Sequence, residues 1–395
     1  MWTDPGSLKN DLQAEAQRLG FSLFGVTAPV APPHFAVFED WLSAGRQGEM
    51  RYLASAKARF LRADPRRIMM PSCQSILVLG MRYPRPAPYR AGTGEPGRGR
   101  VAAYACGEDY HLVIPPRLAE LAERLETIAG RPVACRSYTD TGAILEHDYA
   151  QLAGLGWTAK NTCLISPGQG SYFLLAELLV DLEIQPDPPF IPERCGTCRR
   201  CIEACPTHCI LSNRTLDAPR CISYQTIENK GVIPLEIRSQ MGNLVFGCDI
   251  CQQVCPWNHF APDENEPLFN PRPGLPEPVL REELHLSQAD FSRRFKNSPI
   301  KRARRAGYLR NVAVALGNQR DPAALPDLAW IMENEPEVIV RAHAAWAMGE
   351  IGGSSAAKML DQASKEEEDP GVSAEINLAR QRVSFPGSHP GSPAS

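Results

Sequence analysis

The first 185 residues alternate between two patterns of apolar positions. Apolar side chains recur at helical spacing in the segments 7–20, 41–53 and 113–130. Short continuous apolar runs, rich in branched side chains, predict buried strands at 21–27, 75–81 and 172–184. Helices that alternate with strands in this way predict an α/β domain built on one main sheet.

Proline-rich seams divide the rest of the chain. The segment 184–192 separates the α/β part from a cysteine-rich block, and 256–278 leads from this block into a helical region. A short tail rich in Gly, Ser and Pro follows, and its composition predicts disorder. The expected domains are therefore 1–185, 186–260 and 261–383, with the disordered tail at 384–395.

The helical C-terminal region repeats itself. Gly317 and Gly349 occupy equivalent positions 32 residues apart, and Leu328 and Leu360 are separated by the same distance. Each repeat has the apolar pattern of a helix pair, and a period of this length is typical of an α-solenoid with HEAT-like repeats. Two unrelated amphipathic helix pairs are the alternative interpretation.

The net charge and the lengths of the apolar runs indicate which partners and which cell compartment to expect. The net charge of −3 predicts no overall attraction to nucleic acid, so such binding requires a local basic patch. The first twenty residues include Asp4 and have no apolar centre, and the longest apolar run is interrupted by Glu177. We therefore expect a cytoplasmic protein whose thirteen cysteines stay reduced and are available to bind metal.

The strongest chemical signal is a complete cysteine run of the bacterial ferredoxin type. Its spacing is Cys195-x2-Cys198-x2-Cys201-x3-Cys205-Pro206. In such a run the first three thiolates bind one [4Fe–4S] cluster, and the fourth, which precedes proline, binds a second cluster. Zinc is the alternative metal, but zinc sites rarely use interleaved runs that end in Cys-Pro.

A second run, Cys248-x2-Cys251-x3-Cys255-Pro256, lacks its first cysteine, because Val245 stands in that position. Cys221 is the preferred replacement, and Cys209 is its rival. The reciprocal rule then predicts two ligand sets. These are Cys195, Cys198, Cys201 and Cys255 for one cluster, and Cys205, Cys221, Cys248 and Cys251 for the other. The other cysteines are expected to be small core residues: Cys73, Cys106, Cys135, Cys163 and Cys209.

The segment 137–161 contains the candidate acid. Asp140 precedes a helix predicted at 143–153, where it could be an N-cap or a general acid. The residues alone leave both interpretations open. Lys160 is expected to be a solvated loop residue. His111 is expected to be structural, since the sequence lacks the glycine that completes the pattern of histidine-ligated cobalamin.

The order of these motifs closely resembles that of the epoxyqueuosine reductase family. The match spans about residues 8–365 and includes the first cysteine run and the C-terminal repeat. The other shared segments are RADP (62–65), GEDYH (107–111), DTG (140–142), GLGWTAKN (154–161), GSYFLLAE (170–177), RCISYQTIENKG (220–231) and GCDICQQVCPWN (247–258).

This resemblance implies that residues 1–185 bind base-off cobalamin, as in the reductive dehalogenases, and that the two clusters reduce it. The reduced cobalamin would remove the epoxide oxygen of epoxyqueuosine at the first anticodon position of a tRNA, with Asp140 as proton donor. The implied cobalamin contacts are Arg62, Leu164, Leu175, Ser223, Cys248 and Asp249. A cobalamin enzyme for a small substrate and a non-catalytic Fe–S carrier are the alternatives.

The segment 291–310 has eight Lys and Arg residues and no acid, and a tRNA substrate would explain this concentration of positive charge. Such a stripe can bind phosphates, although a solvated helix face has the same pattern. The predicted contacts are Lys230, Lys301, Arg302, Arg304, Arg305 and Arg310. The expected partners are a tRNA with G at the first anticodon position and an unidentified electron donor, and the protein is expected to be a monomer.

Overall fold

The computed structural model describes residues 5–69, 72–86 and 95–384, which form two compact units. Each unit draws on three separate stretches of the chain. The first consists of Met1–Ala87, Gly107–Pro219 and Asp249–Asn270, and the second of Pro88–Cys106, Arg220–Cys248 and Pro271–Ser395. The tail predicted to be disordered lies, beyond residue 384, outside the described residues.

The centre of the first unit is a four-stranded antiparallel sheet. Its strands, in spatial order, are Leu23–Thr27, Ser75–Arg82, Phe173–Val180 and Cys135–Tyr138. The first three confirm the predicted strands, whose apolar side chains are almost entirely buried. The fourth is a short edge strand without a continuous apolar run, which explains why the hydrophobic pattern did not predict it. A hairpin of Trp157–Thr158 and Leu164–Ile165 accompanies the sheet.

Helices complete the first unit. The α-helices are Pro5–Arg18, Phe35–Ser43, Arg51–Ala54, Ala56–Arg62, Pro65–Met69, Tyr110–Ala129, Glu146–Leu152, Arg200–Ala204 and Ile250–Gln253. Gly130, at φ 64°, ends the long helix as predicted. The helix predicted at 41–53 is wrong, because Gly45 and Gly48 adopt positive φ and the chain turns between two shorter helices. The 3₁₀ turns are Ala218–Arg220, where one stretch of this unit ends, Pro256–Phe260 and Pro267–Phe269.

The second unit is mainly helical. A two-stranded parallel ladder joins Arg100–Val101 to Leu244–Phe246. The α-helices are Ile222–Ile227, Leu235–Arg238, Leu280–Leu284, Gln288–Arg294, Arg304–Gln319, Leu325–Asn334, Val338–Ile351, Gly353–Glu366 and Pro370–Ser384. The 3₁₀ turns are Ala103–Ala105, Ser239–Met241, Pro299–Ala303 and Pro322–Ala324.

The repeated glycines mark where consecutive repeats pack. A Cβ on Gly317 would lie 2.8 Å from the Cα of Ala347, and one on Gly349 would lie 2.9 Å from the Cα of Ala379. Each glycine thus allows two helix backbones to approach closely, which explains the 32-residue spacing. Within the described ranges, no helix has the length and apolar character needed to cross a bilayer.

Candidate active site and cluster site

Asp140 lies on a tight loop after the edge strand of the sheet. Its backbone has φ 59°, in the left-handed region that few non-glycine residues adopt. The Thr139 hydroxyl donates to the Leu175 carbonyl at 2.8 Å, and the Asp140 N–H donates to Glu146 Oε1 at 2.6 Å. The following helix begins at Glu146, with Leu145 at its N-cap. The interpretation of Asp140 as a helix N-cap is therefore wrong.

Two neighbouring side chains contact the Asp140 carboxyl. The Tyr110 hydroxyl donates to Oδ2 at 2.9 Å, and His111 Nε2 lies 3.5 Å from the same oxygen. His111 Nδ1 lies 2.9 Å from Asp109 Oδ1 on its other side. These two carboxylates raise the pKa of His111 to about 9, with Asp109 the larger cause. The expectation that His111 is only structural missed this arrangement, although the adjacent residues of GEDYH carry it.

A pair of carboxyls, the partly accessible Glu146 and the buried Glu177, lies behind the loop. Glu177 is in the central strand and is completely inaccessible to solvent. Burial raises its pKa well above the usual value, and Glu146 raises it further. The pKa of Glu146 is raised to about 7, first by burial and then by Asp140. The hydrophobic pattern had marked Glu177 only as an interruption of an apolar run.

Two cavities of the first unit reach Asp140 and Glu146. The larger, about 720 Å³, is lined by Phe38, Trp41 and Arg62 among others. The smaller, about 250 Å³, is lined by Leu164 and Leu175 on one part of its wall and by polar side chains such as Ser171 on another. The predicted residues Arg62, Leu164 and Leu175 thus all border cavities that Asp140 also borders. The Arg62 guanidinium donates to the Gly142 carbonyl at 3.4 Å, and burial lowers its pKa.

The four cysteines of the first predicted ligand set lie around one small cavity: Cys195, Cys198, Cys201 and Cys255. Burial raises the pKa of both the Cys201 and the Cys255 thiols, and neighbouring thiols add to the effect. Such crowding disfavours four bare thiolates and is relieved when they bind cationic iron. Trp157 and Trp257 pack around the same site and limit its contact with water.

Lys160 and Asn161 hold the loops that carry these cysteines. Lys160 Nζ donates to the Gly196 carbonyl at 2.6 Å and to the Cys198 carbonyl at 3.0 Å. Asn161 Nδ2 donates to the Cys251 carbonyl at 3.2 Å. The interpretation of Lys160 as a solvated loop residue is therefore wrong, and the cation lies beside the first ligand loop.

The remaining cluster cysteines are distributed over the two units. Cys205 and Cys251 belong to the first, whereas Cys221 and Cys248, with Ser223, belong to the second. Within the first unit, Cys205 Sγ lies 3.5 Å from the sulfur of Cys209, the rival ligand. Hydrogen bonds from Cys209 and the Thr207 hydroxyl lower the pKa of Cys205 to about 5. Asp249, another implied contact, is buried in the first unit.

The predicted phosphate contacts separate into two groups. Lys230, Lys301, Arg302 and Arg304 are exposed. Arg310 is fully buried, and its guanidinium donates to the carbonyls of Gln225, Asn229 and Gly231. The prediction that Arg310 contacts a phosphate is therefore wrong, because its donors hold the protein interior together.

Arg305 is also engaged within the protein. Its two terminal nitrogens donate to the Glu335 carboxylate at 2.8 and 2.6 Å, and only 14% of its side chain is exposed. Because this bidentate pair uses both terminal nitrogens of the guanidinium, the prediction that Arg305 contacts a phosphate is wrong. Sequence reasoning could not separate it from Arg304, because the two residues are adjacent cations.

A second basic segment was overlooked. Residues 46–67 contain seven Arg and Lys residues and two acids. Tyr52 and Phe60 in this segment are both more than half exposed. Exposed aromatic rings among cations are typical of surfaces that bind unpaired nucleotides. The interleaved basic and aromatic residues were the available sequence signal, and Arg62 connects the segment to the larger cavity.

Three family models match the chain. The model described as "Epoxyqueuosine reductase QueG, DUF1730" matches residues 62–141. The 4Fe-4S double cluster binding domain matches 194–258, and HEAT repeats match 302–379. The second match includes all eight predicted cluster cysteines. The predicted fold classes, α/β followed by a two-cluster segment and a HEAT-like solenoid, are confirmed.

Named relatives agree with these models. The epoxyqueuosine reductase of Pseudomonas aeruginosa is 40% identical over 352 residues, which cover 88% of this chain and 96% of the relative. That of Xanthomonas campestris is 39% identical over 353 residues, covering 88% and 98%.

Two solved structures are similar over nearly the whole chain, each at 30% sequence identity. An epoxyqueuosine reductase with a tRNA-Tyr epoxyqueuosine-modified stem loop matches with a TM-score of 0.87, covering 96% of this chain and 100% of that one. The Bacillus subtilis enzyme, solved with its catalytic aspartate loop swung out of the active site, matches with a TM-score of 0.85, covering 96% and 99%.

Proposed function

The chain belongs to the epoxyqueuosine reductase family, and on this premise we propose that it reduces epoxyqueuosine to queuosine in the anticodon loop of a tRNA. It is an oxidoreductase with a double [4Fe–4S] domain. The observation that carries the proposal is the Asp140 carboxyl, which borders two cavities and contacts Tyr110 and His111. This arrangement offers a proton donor beside space for a cofactor and a base.

Cobalamin is the cofactor that we propose for these cavities. Leu164 and Leu175 give the smaller cavity the apolar wall that a corrin face requires, and Arg62 gives the larger one a cation for polar substituents. Bound cobalamin would provide a strongly reducing cobalt. The other proposed contacts are Ser223, Cys248 and Asp249.

Asp140 is proposed to protonate the departing epoxide oxygen. An alkoxide is a poor leaving group, so C–O cleavage is assisted by an acid within hydrogen-bonding distance. The Tyr110 hydroxyl orients the carboxyl through its hydrogen bond to Oδ2. His111, with its pKa raised to about 9, holds a proton at neutral pH beside the same oxygen. His111 therefore supplies the proton that Asp140 passes on, in step with the build-up of negative charge on the departing oxygen.

The clusters are proposed to supply the electrons. The first is held by Cys195, Cys198, Cys201 and Cys255, which line one cavity. The second is assigned to Cys205, Cys221, Cys248 and Cys251. Cys209 remains the rival for Cys221, because its sulfur is adjacent to that of Cys205.

The tRNA is proposed to contact exposed cations in both units. In the second unit these are Lys230, Lys301, Arg302 and Arg304. In the first unit the segment 46–67 adds cations together with Tyr52 and Phe60 for base stacking. The modified base lies in an unpaired loop, so it can enter a pocket without melting a helix. A small-substrate reductase would leave both basic segments without a role, and an electron carrier would leave the Asp140 site unexplained.

The deciding experiment uses protein loaded with both clusters and cobalamin, a chemical reductant and an anticodon stem-loop that contains epoxyqueuosine. Mass spectrometry of the released nucleoside should show the loss of one oxygen atom. Absence of this product from fully loaded wild-type protein would refute the function. Asp140→Asn should retain iron, cobalamin absorbance and stem-loop affinity but lose turnover by roughly 10²–10⁴-fold. Full activity in this variant would remove Asp140 as the acid.

A further inference from the structure

Glu177 is an unusual residue for the centre of a sheet. Its backbone pairs with Val78 on one side and Tyr138 on the other, and its side chain is inaccessible to solvent. Neither side-chain oxygen has a hydrogen-bonding partner in the described part of the chain, and the neighbouring acid that acts on them is Glu146. An isolated buried carboxylate is strongly unfavourable, so Glu177 must hold a proton and donate it to Glu146.

Glu146 connects this buried acid to the catalytic loop. Its carboxyl neighbours that of Glu177, and its Oε1 accepts the Asp140 N–H at 2.6 Å. Two neighbouring carboxyls repel each other when both are ionised, so one proton between them is the favoured state. The charged groups that act on the pair are Asp140 and Arg62, of opposite sign.

The loop needs such a restraint. Asp140 has φ 59°, a conformation that a non-glycine residue keeps only when its surroundings hold it there. The N–H of Asp140 is itself the donor in the contact with Glu146, so this contact acts directly on the unusual backbone position. In the Bacillus subtilis relative the catalytic aspartate loop was solved in a swung-out position. A loop with two positions requires a contact that favours the inward one.

We propose that Glu146 and Glu177 share one proton and together act as a positioning pair, which holds the Asp140 loop so that its carboxyl faces the cavities. This inference rests on the proposed function, because it assigns the pair a role in the same site. Glu146 provides the acceptor for the loop, and Glu177 provides the hydrogen that fixes the Glu146 carboxyl. Neither residue touches the substrate in this scheme.

The test compares a disruptive and a conservative variant of Glu146. Glu146→Ala removes the acceptor, so the loop should spend less time inward, and kcat should fall about ten- to hundredfold, as expected for a lost hydrogen bond to a charged group. The KM for the stem-loop and the iron content should not change. Glu146→Gln should restore most of kcat, because its amide offers an acceptor to Asp140 and a donor to Glu177. Wild-type kcat in Glu146→Ala, or no recovery with Gln, would overturn the proposal.

Infrared spectroscopy tests the shared proton without any turnover. Wild-type protein at neutral pH should show the C=O band of a protonated carboxyl, which Glu177→Gln should abolish. A spectrum unchanged by Glu177→Gln would overturn the shared proton. Wild-type protein without turnover would refute the proposed function instead, and the infrared result would still decide whether the pair holds its proton.

Discussion

The titration of His111 offers the sharpest test of the proposed site, and Asp140→Asn is the perturbation. The structure raises the pKa of this ring from 6.5 to about 9. A difference of this size corresponds to about 3 kcal/mol in favour of the imidazolium. Burial opposes this effect, so the flanking carboxylates must provide it, and Asp109 contributes more than Asp140.

Asp140→Asn removes one of the two charges without changing the shape of the side chain. About half of the Asp140 side chain is exposed, and solvent therefore screens its charge. We expect the pKa of His111 to fall by about one unit, the lower end of the range for a neighbouring opposite charge. The ring should still titrate above 6.5, because Asp109 remains 2.9 Å from Nδ1.

The measurement is an NMR titration of isotope-labelled histidine in the protein with both clusters oxidised, with His111→Gln to assign the resonance. Because folding raises the pKa, the charged ring stabilises the fold in full below pH 6.5, and this stabilisation is lost as the pH rises through about 9. In Asp140→Asn the loss should occur about one pH unit lower. A His111 that titrates at 6.5 in the wild type, or whose pKa is the same in Asp140→Asn as in the wild type, would refute its role as the source of the proton.

Three further predictions concern the clusters and the solenoid. Lys160→Met should make the potential of the first cluster more negative, since an adjacent cation stabilises the reduced state; an unchanged midpoint in an EPR-monitored redox titration would contradict this. Cys221→Ser should lower iron from about eight atoms per chain, whereas Cys209→Ser should not; the reverse pattern would exchange the two assignments. Arg310→Leu should lower the free energy of unfolding by about 3 kcal/mol, because three carbonyls, two of them buried, lose their donor, and an unchanged urea midpoint would contradict this.

Much of the fold could be predicted because its main elements have strong local signals. The buried strands Ser75–Arg82 and Phe173–Val180 have continuous apolar runs, and the repeated glycines of the solenoid have a fixed spacing. The edge strand Cys135–Tyr138 has no such run, since its side chains are partly exposed. Its pairing with the central strand depends on residues about forty positions away, which no local window contains.

The same contrast between local signals and long-range contacts applies to the residues of the candidate site. Cysteine spacing predicted the first ligand set, because three of a cubane's ligands come at short intervals on one loop, and the predicted cysteines line one cavity. The family motif identified Asp140. The burial of Arg310, by contrast, depends on carbonyls some eighty residues away, so its pattern was indistinguishable from that of exposed Arg304.

The sequence by itself therefore determined the elements, the cluster chemistry and the family to which the chain belongs, because spacing and apolar periodicity are local properties. Only the tertiary structure decided which charged residues act on Asp140. Strand pairing brings Glu177 behind Glu146, and chain folding brings His111 within 3.5 Å of the Asp140 carboxyl. The protonation state of each group depends on burial and on neighbours distant in sequence, and these exist only in the folded chain.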